Sequence, residues 1–273
     1  MAKIRDSDIT ELSTIIENRT TFFEPLDAAS TYCIFNSFDF HSSSIQTKSS
    51  ENQLMNLWTA MESLLPPPQE QRILHFINSL EPLLSRKYIQ KLINDLMNTL
   101  RLNYPKELNI ILSKMPPEYT DIEKCAALIS IKDENENLRD ELYELMGRNP
   151  LLRNRIYTLM KKLHSADNIY ITMELHKNRI RWHLQRIYRA RNLITHKGED
   201  IDYVNQLVEN LHFYYHTIID LIQEITSQNN NIDSLETVFN LVRLEHEAYI
   251  RLLKDSKEEK CNNKNFKLFL FCS

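Results

Sequence analysis

The sequence predicts an all-α protein, and three observations carry that prediction. Only two glycines, Gly147 and Gly198, occur in 273 residues, so the positive-φ positions that tight hairpins require are scarce. Leu, Ile, Glu, Lys, Asn and Arg dominate the composition, and no stretch sustains period-two alternation. Apolar residues instead recur at three- and four-residue spacing through most of the chain. The length suits one large domain or two small ones and is ample for a substantial core.

The elements follow in order. Residues 8–24 and 25–45 read as helical, the second weakened by its many serines. Ser50-Glu51-Asn52-Gln53 has the form of a capping box, and Leu54, Met55, Leu57, Trp58, Met61, Leu64 and Leu65 follow at helical spacing. Pro66-Pro67-Pro68 ends that helix. Helices are then predicted over 69–80, 86–102, 105–114, 119–131, 134–146, 150–164 and 170–196. A long one over 200–227 carries Ile201, Val204, Leu207, Leu211, Tyr215, Ile218 and Ile222 on one side. Asn229-Asn230-Asn231 interrupts the chain before a last helix over about 233–255. Lys254–Lys267, rich in Lys, Glu and Asn, reads as a mobile tail. The apolar run Phe266–Phe271 is a docking segment, too short for an anchor.

Composition also narrows the function. A formal charge of −4 argues against whole-molecule attraction to nucleic acid, so any such binding must use a local patch. Cys33, Cys125, Cys261 and Cys272 are widely spaced, which points to a reduced, cytoplasmic setting. No apolar run approaches the length of a membrane span, so no membrane partner is expected. Two glycines cannot build a phosphate-cradling loop or a nucleophile elbow. His164…Asp167 and His176…His183 lack the i, i+4 or i, i+3 clusters with carboxylates expected of a zinc helix, so neither a metal nor another cofactor is expected. The acidic stripe over 133–144 reads as a solvated face.

One segment concentrates chemistry. Arg191-Asn192-Leu193-Ile194-Thr195-His196, followed by Lys197-Gly198, supplies a permanent cation, a hydrogen-bonding amide and a proton carrier suited to neutral pH. Those three groups suffice to cleave a phosphodiester without a metal. Seven basic residues stand against Glu174 over 174–198, a local positive charge within an acidic protein. At about 100° per residue, Ile180, Leu184, Ile187 and Ile194 form an apolar stripe with Arg191 in its middle. The opposite side carries Trp182, Arg186, Arg189, Leu193 and His196. Arg186, Arg189, Trp182 and Lys197 are therefore the candidate RNA-binding residues. Competing readings are a solvated basic face, an arginine reaching out from the core edge, and a histidine that serves only the helix C-terminus. Trp182 could equally be a packing residue.

Tyr188 to Gly198 resembles the signature of HEPN-superfamily ribonucleases, arginine-polar-x3-histidine at the end of a late helix. Leu57-Trp58-Thr59-Ala60-Met61-Glu62-Ser63-Leu64-Leu65 is similar to the early core helix of the Apea-like HEPN branch, with its tryptophan and glutamate. The resemblance covers about 25–65 and 170–228. It implies a HEPN-like helical bundle over 1–228 with a large helical insertion over about 66–169, then 229–273 as C-terminal helix and tail. It also implies a symmetric homodimer whose two motif copies line one cleft. In the family's toxin branch a tyrosine often lies two residues after the histidine; here that position is Gly198.

Taken together, these readings give a metal-independent endoribonuclease, a defence or toxin-like effector that attacks RNA through its own 2′-hydroxyl. Arg191 holds the phosphate, Asn192 orients it and His196 moves protons. Glu62, placed between Trp58 and Met55, is the expected partner of Arg191 or His196, unless it lies at the rim of its helix. A regulatory protein partner could engage 66–169. The alternatives are a non-catalytic HEPN-like module that binds RNA or protein, and a helical adaptor. One geometric difficulty stands: five residues place Arg191 and His196 about 140° apart on a straight helix.

Overall fold

A computed structural model describes residues 26–67, 71–147, 149–198, 201–229 and 231–271. The helix expected over 8–24 and Cys272 lie outside the described residues. The protein is all-α: 80% helical, with no strand pairing beyond one isolated bridge among the described residues. Its helices are α1 (Ala28–Gln46), α2 (Ser50–Leu64), α3 (Arg72–Ser85), α4 (Tyr88–Asn103), α5 (Pro105–Ser113) and α6 (Asp121–Ser130). They continue with α7 (Glu136–Leu145), α8 (Pro150–Leu163), α9 (Ala166–Lys197), α10 (Val204–Gln228), α11 (Leu235–Asp255) and α12 (Phe266–Phe271).

The chain divides into two compact units. Among the described residues, the first spans 26–84 and 180–243, the second 85–179 and 244–271. The sequence reading drew its insertion at 66–169. It also set 229–273 apart, whereas the chain changes unit inside α9 and again inside α11.

In the first unit, α2 packs against α1 and α10. Asp27 caps α1 by accepting the Ser30 N–H at 2.7 Å. Ser49, rather than Ser50, caps α2, accepting the Asn52 N–H at 3.2 Å. The Ser50 hydroxyl is turned to Asn205 at the start of α10. Trp58 lies buried in the core, stacked on Phe76 with ring centroids 3.9 Å apart and tilted against Tyr188 of α9 at 5.7 Å. Ile180, Leu184, Ile187 and Ala190 bring the second half of α9 into the same core, and Ile194 packs at its edge.

The second unit gathers α4 to α8, the first half of α9, the second half of α11 and α12 around its own core. Arg139, in the acidic 133–144 stripe, is buried. It donates to the carbonyls of Leu128 and Ile131 at 2.8 Å each, and to that of Lys132. A guanidinium there satisfies carbonyls that the end of α6 leaves without helical partners. Burial holds its pKa below the usual range, opposed by Tyr143 and the surrounding acids. The tail read as mobile is packed in place. Ala166 N donates to Glu259 O at 3.0 Å and Cys261 N to His164 O at 2.9 Å. Phe266, Phe269 and Leu270 are buried, and their apolar area outweighs the polar composition that suggested disorder. Cys33, Cys125 and Cys261 are free thiols; burial pushes Cys125 and Cys261 up to about 12, so both stay protonated.

Candidate functional site

α9 carries the candidate residues, and its apolar stripe explains their placement. Because Leu184, Ile187 and Ala190 must face the core, the residues between them turn outward at helical spacing. α9 then runs unbroken through the motif to Lys197. Gly198 follows at φ +62°, its N–H donating to Ile194 O at 3.1 Å. A backbone in the left-handed region is cheap only without a Cβ, so glycine suits this stop. His196 and Lys197 are exposed in the last turn, where positive charge complements the open carbonyls.

Arg191 is half-buried. Its Nη1 donates to the Asn192 side-chain oxygen at 3.2 Å, and its buried Nε makes no hydrogen bond. No carboxylate among the described residues lies within ion-pair reach of it. The expected pairing with Glu62 is therefore absent, and Glu62 does not meet His196 either. The buried sector of α2 is Leu54, Leu57, Trp58, Ala60, Met61 and Leu64. Glu62 sits about 120° from its centre, at the rim, and lines a groove of 570 Å³ with Asp27, Cys33, Arg72 and His75.

Nor does one chain unite Arg191 with His196. The Thr195 hydroxyl donates to Arg191 O at 2.8 Å, a bond along an intact helical turn. With no bend between them, the two side chains leave α9 about 140° apart.

The predicted RNA-binding residues are brought together more fully. Trp182, Arg186 and Arg189 line a shallow depression of about 380 Å³ with Gln185 and Tyr203. Trp182 is 74% exposed, so packing does not explain it. The Arg186 guanidinium lies over the Tyr203 ring, 4.1 Å from its centroid. Sequence reasoning missed Tyr203 and Gln185. The available signal was an aromatic residue at the turn into α10, one short loop after an arginine-rich helix. Lys197 does not line this depression. His183 Nδ1 and Tyr214 OH meet at 2.8 Å and tie α9 to α10. Burial, then Arg186, holds His183 below its ordinary range, while burial pushes Tyr214 up to about 12.

A second cluster escaped the sequence reading, which found no histidines at metal spacing. His212 and His216, one turn apart on α10, meet His41 of α1 with their ligand atoms within 4.8 Å of one another. The i, i+4 pair was legible; the third histidine arrives only through the packing of α1.

The chain matches no protein-family model, no curated protein and no solved structure.

Proposed function

We propose that this protein is a metal-independent endoribonuclease of the HEPN type, a defence or toxin-like effector that works as a homodimer. The observation that carries the proposal is the Arg191 guanidinium. It is half-buried, beside an amide, and no carboxylate among the described residues neutralises it. A buried cation in that state is costly unless an anion completes it. Phosphate fits, because the planar guanidinium binds it in a two-pronged way. The basic, aromatic face of Trp182, Arg186 and Arg189 supports an RNA ligand, since exposed aromatic rings stack bases and arginines hold the backbone.

In this reading the 2′-hydroxyl of RNA is the nucleophile. A histidine removes its proton as the oxygen attacks the adjacent phosphorus, and the leaving 5′-oxygen takes up a proton. The products are a 2′,3′-cyclic phosphate and a 5′-hydroxyl. Arg191 holds the charge that builds on the phosphoryl oxygens, Asn192 orients them, and His196 moves the proton. Because Arg191 and His196 diverge on α9, the second protomer supplies the missing partner. The test is total RNA with purified protein in EDTA. Cleavage with cyclic phosphate ends, lost in His196→Ala and Arg191→Ala while circular dichroism stays unchanged, supports the proposal. Equal cleavage by His196→Ala refutes the assignment.

The divergence on an unbroken helix also favours a second reading, a non-catalytic module that binds RNA through the Trp182 depression. It takes over if the wild-type protein binds RNA with a steep salt dependence and cuts none.

A further inference from the structure

We propose that His41, His212 and His216 bind a divalent first-row transition metal of the zinc class, with one coordination position left open to water. The Nε2 atoms of His212 and His216 lie 3.3 Å apart. In a tetrahedral site with zinc–nitrogen bonds of about 2.0–2.1 Å, two ligand nitrogens are separated by about 3.3–3.4 Å. One edge of the tetrahedron is thus already set by the helical repeat of α10.

His41 supplies the third corner. All three ligand atoms lie within 4.8 Å of one another, so closing the longest edge needs a movement of about 1.5 Å at most. The His41 ring is held in orientation, stacked on Tyr215 with centroids 4.4 Å apart and planes 9° off parallel. Tyr215 is itself buried and accepts the Ser37 hydroxyl at 3.1 Å. Supporting contacts of this kind fix ligand rings before a metal arrives. The His216 ring stands at 90° to that of His41, and the His212 ring is tilted by 33°. The three ring planes are therefore mutually inclined.

Chemistry agrees with geometry. Imidazole suits zinc, copper and nickel, and calcium and magnesium prefer oxygen. Without metal, the 3.3 Å contact makes one Nε2 the hydrogen-bond donor and the other the acceptor, as the tautomers decide. Metal binding moves that proton from Nε2 to Nδ1 of the donor ring, so charge stays balanced. All three histidines are half-buried. The site draws on none of Arg191, Asn192 and His196, so it stands apart from the ribonuclease proposal.

The experiment uses the full chain stripped of metal, titrated with Zn²⁺ by calorimetry and with Co²⁺ by visible absorption. One equivalent should bind, Co²⁺ should show the strong visible bands of a tetrahedral site, and the unfolding midpoint should rise with metal. His41→Gln, His212→Gln and His216→Gln should each weaken binding by about tenfold or more, while His75→Gln, outside the cluster, leaves it unchanged. Absence of stoichiometric binding by the wild-type chain overturns the proposal. So does full affinity in His41→Gln, which would reduce the site to the helical pair alone. Circular dichroism identifies any variant that fails to fold, and the wild-type stoichiometry stands without it. RNA cleavage in EDTA is scored separately, so neither result decides the other.

Discussion

Mixing the Arg191→Ala and His196→Ala variants tests whether the proposed ribonuclease site is shared between protomers. On α9, Arg191 and His196 are separated by five residues, a rise of about 7.5 Å and a turn of about 140°. Their Cα atoms are then about 9 Å apart and their side chains point to different sides of the helix. A single phosphate cannot touch both groups from one chain. If Arg191 of one protomer works with His196 of the other, a dimer holds two sites. Arg191→Ala and His196→Ala homodimers lose both sites. A mixed dimer loses both mutated groups in one site and keeps the other site intact. Random exchange of equal amounts makes about half the dimers mixed, each with one working site of two, so about a quarter of wild-type activity should return. The assay is cleavage of a fluorogenic RNA in EDTA, after subunits have been exchanged in mild denaturant and refolded together. Activity in the mixture no greater than the sum of the two variants alone would refute the shared site. A protein that remains monomeric by light scattering would refute it earlier.

Four further outcomes follow from other parts of the molecule. Arg139→Met removes the donor to the Leu128, Ile131 and Lys132 carbonyls. It should cost about 3–5 kcal/mol in urea unfolding, and an unchanged midpoint would show that water replaces the guanidinium. Burial, with Lys177 second, lowers the His246 pKa from 6.5 to about 4, so the unfolded chain takes up the proton first. Stability should hold above pH 6.5, fall as pH drops towards 4 by at most about 3 kcal/mol, and level off below that; His246→Gln should flatten the curve, and an unaltered slope would exclude this histidine. Arg189→Ala should weaken RNA binding and reduce its salt slope by about one. Trp182→Ala should weaken it with the slope preserved, so a changed slope in the tryptophan variant would count against base stacking.

Fold class was legible because it depends on local quantities. Two glycines and a 3.6-residue apolar rhythm leave little besides helices, and Pro66 and Gly198 mark stops visible in one dimension. Helix starts were harder. α2 begins after Ser49 because Ser50 is drawn to Asn205, a contact that no local pattern announces. The tail was misread for the same reason: its composition is polar, but Phe266, Phe269 and Leu270 find a core built from distant helices.

The candidate site divides along the same line. The faces of α9 were computable from spacing, so Trp182, Arg186 and Arg189 fall together as expected, and the divergence of Arg191 from His196 was foreseen. What spacing could not supply was the partner of each face. Glu62 looked like a counter-ion because α2 was drawn with too wide an apolar sector; its actual core face is centred on Leu57 and Met61, and the carboxylate turns to a different groove. His41 could not be assigned to His212 and His216 before α1 was laid against α10, although the pair on α10 was visible one turn apart. The consequence for Arg191 is the more important of the two. A guanidinium with a buried, unbonded Nε and no carboxylate is not balanced by the described residues of its own chain. In the proposed function a phosphate supplies what it lacks, and the mixing experiment tests whether the second copy completes that site.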